Sequence, residues 1–440
     1  MLSMIAGTVF FTSVQATAQN TDGLWTLKRC IDYAVENNIN VLTKEISVQT
    51  SEATLEQSKA AQAPSLSFST SFGANFKNVS TINEYMENTG GATMSNNFGL
   101  NSGMTLYNGG KIRNTIKQNS LQSDAARYDL DQSRMDIEIS VAQAYLQVLY
   151  NKEALDINKK AAELSKKQVE LGEQLFAAGS ISKVDLAQLK SQMASDEYQI
   201  VSAENALSVA KLQLKQLLEL GLEERFELYF PEIGDEIVSH PVPSLSEVYY
   251  VAVEDLPGMK SSNLSVDAAD MAVKIARAAY APSISLSAGI STGAVSGVEN
   301  TYFDQLGNKL GESLGINLSL PIFNNKQTKT NVAKAKLQSE SVRLQNESQK
   351  KQLLSTLETL HNDAVSAQHQ YSSSQAKLEA AEESYRLVRE QFDAGIKNTV
   401  ELMTEENNYI SALSQKLQAK YKAVLALKLL NRYMNEPIEL

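Results

Sequence analysis

The feature that most constrains this chain is a stretch from about Gly110 to the break Ala177-Ala178-Gly179-Ser180, which reads as one helix of nearly seventy residues with no proline. Its apolar residues fall on two stripes that repeat every seven positions. Val141, Val148, Leu155, Ala162, Val169 and Phe176 make one, and Tyr150, Ile157, Leu164 and Leu171 the other. Seven residues in two turns is 3.5 per turn, the period that keeps a seam straight against a neighbour. Two seams require two neighbours. At a rise of 1.5 Å per residue the helix is roughly 100 Å long, so the chain builds a tube or bundle rather than a compact domain.

The first twenty residues stand apart from the rest. An apolar run, Met4 to Phe11, precedes Ala16-Thr17-Ala18-Gln19, the small-x-small pattern of an export signal without the usual basic residues ahead of it. A signal peptide over 1–18 is expected, with a mature chain from Gln19 placed outside the inner membrane. No later window of eighteen apolar residues offers a membrane-spanning helix. The net charge of −11, with lysines scattered among glutamates, argues against a nucleic-acid partner.

Four stretches alternate between apolar and small polar residues: Ser65–Phe76, Asn97–Leu106, Ser283–Ile290 and Ser313–Leu320. Each is about ten residues, enough for a tilted strand to cross a bilayer. The polar positions are Ser, Gly, Asn and Thr, neither charged nor bulky. Two hairpins on a soluble core would need a covering layer, and nothing else in the chain offers one. With the apolar face in lipid, every backbone group needs a partner, so the strands must close into a barrel without edges. Four strands cannot close around a lumen, and copies of the chain must join. Tyr107, Phe323 and Phe98 are expected near strand ends in aromatic girdles. Residues 77–96 and 295–312 are then exterior loops.

The two halves repeat at an offset of about 216 to 218 residues. Ala63-Pro64-Ser65-Leu66-Ser67 recurs as Ala281-Pro282-Ser283-Ile284-Ser285, and Leu106-Tyr107-Asn108-Gly109 as Ile322-Phe323-Asn324-Asn325. Gln174-Leu175-Phe176-Ala177-Ala178-Gly179 is echoed by Glu390-Gln391-Phe392-Asp393-Ala394-Gly395. The expected organisation is a first repeat over 19–218, with hairpin 65–107 and coil pair 110–218; a linker over 219–256; and a second repeat over 257–440, with hairpin 283–323 and coil pair 326–434. The linker, rich in Pro, Glu and aromatics from Gly221 to Ser244, forms a belt outside the helices.

A duplicated helix, hairpin and long coil pair, with Phe-x-x-Gly turns at both tips, resembles the TolC-type outer-membrane efflux channels over nearly the whole chain. The resemblance implies a mostly α fold with a small β part. It implies a homotrimer with twelve strands in outer-membrane lipid and a twelve-helix tunnel through the periplasm. The far end would be gated and would dock on a periplasmic adaptor protein and an inner-membrane transporter of the RND or ABC class. Asp185 and Glu401 match acids of the closed aperture, and Lys397 a basic residue that bonds to the neighbouring coil. The chain departs from the pattern at Phe392, which lacks the hydroxyl common there. It departs again at Thr404, where a second acid is usual and Glu405 comes one residue late. The tip residues Gly179, Ser180, Gly395 and Ile396 match turns that meet the adaptor.

Capping explains part of this without function. Ser182-Lys183-Val184-Asp185 and Asn398-Thr399-Val400-Glu401 both fit a capping box, and an acid there complements the helix dipole. The functional expectation is that Lys397 pairs with an acid at the first tip. No catalytic, cofactor or metal constellation is apparent: His361 and His369 are eight residues apart, His240 lies in the linker, and Cys30 reads as a small apolar residue on a helix. The sequence therefore reads as a passive outer-membrane exit duct for drugs and toxic compounds. The alternatives are a type I protein-secretion duct and, from another class, a soluble periplasmic coiled-coil scaffold.

Overall fold

A computed structural model of the chain describes residues 24–77 and 91–440. The signal expected over 1–18 and much of the first exterior loop lie outside the described residues. The first half runs α1 (Leu27–Asn37), α2 (Ile39–Ala60), β1 (Ser65–Lys77), β2 (Gly91–Asn108), α3 (Lys111–Ala177) and α4 (Lys183–Leu217). The second runs α5 (Leu245–Asp255), α6 (Pro257–Ala278), β3 (Ser283–Val295), α7 (Tyr302–Asn308), β4 (Gly311–Ser319), α8 (Gln327–Asp393) and α9 (Thr399–Tyr433). The duplication extends to helix length. α1 and α5 have 11 residues, α2 and α6 22, α3 and α8 67, and α4 and α9 35.

The strands form one antiparallel sheet in the order β1-β2-β3-β4, so the central pairing joins the two halves. Register sorts the residues cleanly. Phe68 lies opposite Leu100, Leu100 opposite Ile290, and Ala288 opposite Leu314, all on one face. The other face aligns Ser69 with Gly99, Asn101 with Gly289, and Gly289 with Ser313. Neither β1 nor β4 has a partner on its outer side among the described residues.

Three details depart from the sequence reading. The β2–β3 register shifts between Thr105 and Tyr107, so the alternation expected through Leu106 breaks and Tyr107 comes opposite Ile284. Phe98 pairs with Thr292 well inside the sheet rather than at a strand end. The second exterior loop carries helix α7, which packs where β4 has already stopped. There Gln305 replaces a strand partner: its Oε1 accepts from the Val295 N–H at 2.9 Å and its Nε2 donates to the Val295 carbonyl at 3.0 Å.

Below the sheet the helices keep the strand order. α2 lies against α3, α3 against α6, and α6 against α8, each continuing one strand. Gly109 and Gly110 turn β2 into α3 with φ of 67° and 80°, and a Cβ on Gly109 would stand 2.6 Å from the Ala278 carbonyl of the other half. At the corresponding turn into α8, Asn325 and Lys326 take the left-handed conformation.

Further from the sheet, α4 pairs with α3 and α9 with α8, while α3 also touches α9. The two seams of the long helix thus have their two neighbours; Tyr150 of the second seam meets Tyr421 of α9 edge-on at 5.9 Å. α2 starts where α4 ends. Asn38, the cap of α2, donates through Nδ2 to the Leu217 carbonyl at 3.1 Å. Each copy therefore presents four helical columns, two of them unbroken.

At this level the segment between the two halves and α5 pack on the outside of the long helices. Trp25 bridges Leu228 in parallel and packs against Tyr33 and Phe226. Tyr145 of α3 is buried and donates to the Tyr229 carbonyl at 2.5 Å. The short 3-10 turn Asp235–Ser239 is tied to α9 by Lys416 and Lys420 at 3.2 and 3.3 Å, and Gln368 of α8 donates to the Val238 and His240 carbonyls. Arg432 of α9 bonds Glu138 of α3 at 2.8 Å. Removing the Tyr145 hydroxyl leaves the Tyr229 carbonyl without this donor at a half-exposed residue, so Tyr145→Phe is expected to cost about 0.5–1.5 kcal/mol. Thermal unfolding of the purified chain checks this; an unchanged midpoint would mean that the belt is not held through Tyr145.

Candidate functional site at the coiled-coil tips

Each coil pair turns back through the same device. At the first tip the Gly179 N–H donates to the Phe176 carbonyl at 3.0 Å and the Ser180 N–H to the Leu175 carbonyl at 2.8 Å. At the second, Gly395 donates to Phe392 at 2.9 Å and Ile396 to Gln391 at 2.8 Å. These are Schellman turns. They need φ of 74° and 70° at the two glycines, and a Cβ there would meet nothing within 4 Å. Gly179, Ser180, Gly395 and Ile396 are accordingly exposed at the extreme end of the molecule.

The returning helices begin with the expected capping boxes. Ser182 Oγ accepts from the Asp185 N–H at 3.1 Å, and Asp185 Oδ2 accepts from the Ser182 N–H at 3.0 Å. The Ser182 hydroxyl and then the Ser182 backbone hold the Asp185 carboxyl below its ordinary range. Asn398 and Glu401 repeat the arrangement. The expected pairing of Lys397 with an acid at the first tip is not made within the chain. Lys397 Nζ, just ahead of the α9 cap, instead bonds Glu401 Oε1 in the first turn of α9 at 2.5 Å, and that bond chiefly lowers the Glu401 carboxyl. The reason is local: both acids serve their own caps, but Glu401 lies only four residues from Lys397, and its Oε1 is left over from the cap bond that Oε2 makes.

Thr404 is exposed and its hydroxyl returns to the Val400 carbonyl at 2.7 Å. Glu405 turns toward α8, where Ser384 donates to it at 2.9 Å. The duplicated phenylalanines part company. Phe176 is 42% exposed, whereas Phe392 is 6% exposed and packs with Tyr385, Leu402, Leu171, Leu175 and Tyr409. That cluster joins the two coil pairs near their ends, so Phe392 serves as packing there.

A residue the sequence reading passed over lies just above this cluster. Glu406 of α9 is 4% exposed; its Oε2 accepts from Gln168 Nε2 of α3 at 2.6 Å, and its Oε1 has no partner. Gln168 Oε1 is likewise unpartnered. Burial pushes the Glu406 carboxyl up to about 7, with Asp196 of α4 adding to the effect and Gln168 and Arg389 of α8 opposing it. The signal was readable: Glu406 follows Met403 by three in the Met403, Ile410, Leu417 heptad, which puts an acid on the seam. Among the described residues no cluster of His, Cys, Asp and Glu could hold a metal ion, and no helix is long and apolar enough to cross a membrane.

Comparison with known proteins adds an independent line. The pattern describing outer membrane efflux proteins matches residues 30–219 and 248–436. The toxin and drug export protein A of Aggregatibacter actinomycetemcomitans is 22% identical over 402 residues, covering 91% of this chain and 84% of that protein. The alkaline protease secretion protein AprF of Pseudomonas aeruginosa is 23% identical over 297 residues, 66% of this chain and 60% of that one. In structure, the transmembrane channel CusC superposes with a TM-score of 0.81 at 18% identity, over 93% of this chain and 91% of its own.

Glu406 makes the α3–α9 contact sensitive to pH. An unfolded glutamate titrates near 4.5 and the folded one near about 7, so the folded chain holds the proton more tightly between them and stability falls as pH rises through that window. Glu406→Gln is expected to raise the unfolding midpoint at pH 8 and to flatten its pH dependence. Parallel melting curves of the two proteins across that range check this; identical pH profiles would contradict it.

Proposed function

The chain belongs to the outer membrane efflux protein family, and from that membership we propose that it acts as a homotrimeric exit duct, passing small molecules through the outer membrane without chemistry of its own. The observation that carries the reading is the sheet: Leu, Phe and Ile on one face, Ser, Gly and Asn on the other, and both edges unpaired. In hydrocarbon an unpaired edge is untenable, so β1 of one copy must meet β4 of the next. Two copies would give eight strands, whose interior side chains fill; three give twelve, and small inward residues keep the lumen open.

The helices below support the same closure. The outer columns carry exposed apolar residues, Ile39 and Ile46 on α2 and Leu337 and Leu344 on α8, spaced as seams and left without partners in a single chain. Closing three copies covers them and aligns twelve helices under twelve strands. The tips then bring three copies of Asp185, Lys397, Glu401, Thr404 and Glu405 around one opening, where rings of charge act on passing ions together. The exposed turns at Gly179, Ser180, Gly395 and Ile396 are the surface offered to a periplasmic adaptor, with an RND or ABC transporter supplying energy from the inner membrane. Similarity to AprF favours, as a second reading, a polypeptide cargo carried by the same duct.

Two outcomes test this account. Leu314, 77% exposed on the apolar face, should not tolerate charge: Leu314→Arg is expected to cost about 2–4 kcal/mol per copy and to deplete the detergent-extracted, heat-modifiable oligomer, while Ser313→Arg on the opposite face assembles. Equal assembly of both variants would mean that this row does not touch lipid. At the tip, Lys397→Ala leaves three Glu401 carboxylates without their cation and is expected to increase dye leak through the closed channel. A leak equal to wild type would remove Lys397 from the gate.

A further inference from the structure

Where helices meet strands, the sequence changes character. Residues 109–117, 271–282 and 320–336 carry nine lysines and arginines and not one aspartate or glutamate, in a chain of net charge −11. Seven of the nine, Lys111, Arg113, Lys117, Lys274, Arg277, Lys326 and Lys329, lie within about two helical turns of a strand end, and all seven are exposed. None forms an ion pair among the described residues, in contrast with the many paired lysines and arginines further down the helices. Asp270, four residues before Lys274, is bonded by Ser339 at 2.6 Å and Arg343 at 2.9 Å, and the Lys274 charge acts on it only at longer range. The other rim has the opposite balance: across 77–96 and 296–312 there are five acids and two lysines.

Immediately on the strand side of these cations lies an apolar band with nothing packed on it. Ile322 is 94% and Phe323 80% exposed, with Leu320, Tyr280 and Tyr107 also open. Between the two zones, Lys274, Arg277 and Tyr280 of the α6 end line a cleft of about 470 Å³ with Gly109 and Asn114. α3 and α6 are inner columns, so Lys111, Arg113, Lys117, Lys274 and Arg277 do not lie on the edges that meet a neighbouring copy, whereas Lys326 and Lys329 stand at the head of α8, an outer column.

We propose that this collar binds the headgroups of anionic phospholipids in the inner-facing leaflet of the membrane that the strands cross. The proposal rests on the membrane reading of the sheet. Its chemistry is that of an amphiphile in profile: acyl chains against Leu320, Ile322 and Phe323, aromatic rings of Tyr107 and Tyr280 at the headgroup level, and phosphate against long side chains that reach sideways. Unpaired cations at a membrane surface attract anionic lipid, and their effects accumulate over the cluster and over copies. Bound this way, the lipid fixes the depth of the sheet and stiffens the junction between strands and helices.

The test is thermal unfolding of the full mature chain in neutral detergent micelles, titrated with phosphatidylglycerol or with phosphatidylcholine of the same acyl chains. Phosphatidylglycerol is expected to raise the midpoint more than phosphatidylcholine, with the excess suppressed at high salt. The variant Lys274→Gln/Arg277→Gln/Lys326→Gln/Lys329→Gln is expected to bind phosphatidylglycerol about tenfold or more weakly. A variant with four lysines changed lower on the helices, at Lys160, Lys166, Lys183 and Lys351, should respond as wild type. Equal responses to the two lipids, or an undiminished response in the collar variant, overturn the proposal. So does inorganic phosphate reproducing the effect, which would assign the cations to a free anion. Should the collar variant itself fail to fold, the lipid comparison and salt dependence in the wild type still decide. A chain that needs no detergent at all would instead refute the membrane reading, which is a separate outcome.

Discussion

The rest of the structure depends on the requirement that backbone N–H and C=O groups in a membrane find partners within protein. One chain cannot meet it. Its four strands satisfy one another in the order β1-β2-β3-β4 but leave a free edge on each side among the described residues, and one face carries Leu, Phe and Ile on all four strands, interrupted by Ser102 and Asn96 and ending at Glu312. Association is thus built into the sheet rather than added by a separate interface. Gln305 illustrates the same rule within the chain, since its side-chain amide takes both backbone bonds of Val295 where β4 has run out.

Below the membrane the design is a doubled unit whose copies match in helix length and differ in side chains. The two long helices α3 and α8 run unbroken from the strands to the tips, while their partners are stacked in two pieces that meet at the belt, α4 beneath α2 on one side. Asp235 and Gln368 strap the belt to the second coil pair, and Trp25 and Tyr145 anchor it to the first. At the tips the halves diverge. The first presents Phe176 to solvent; the second buries Phe392 and carries the Lys397–Glu401 pair and, above it, the half-satisfied Glu406–Gln168 bond.

Much of this was legible because it is periodic. The seven-residue stripes place the long helices to within a residue or two, and the period-two rows place all four strands and their apolar face, although β2 begins six residues earlier and β3 ends five residues later than the rows indicate, where Asn, Gly and Thr blur the alternation. What was not legible depends on where an irregular residue meets something distant. The shift at Thr105–Tyr107 answers to β3, not to neighbours in sequence. Helix α7 is too short to show a period. The family resemblance points Lys397 across the coils, whereas within one chain the four-residue spacing to Glu401 decides its partner. Glu406 was overlooked because attention fell on acids thought to face the lumen rather than on an acid occupying an apolar seam.

The central claim is that three copies close one barrel in detergent or lipid and that no single copy is stable there alone. Light-scattering mass of the detergent-extracted, chromatographically pure protein tests it most directly. The account predicts a single species of three mature chains with no monomer in equilibrium. A stable monomer of one chain mass, in detergent or in detergent-free buffer, would contradict it.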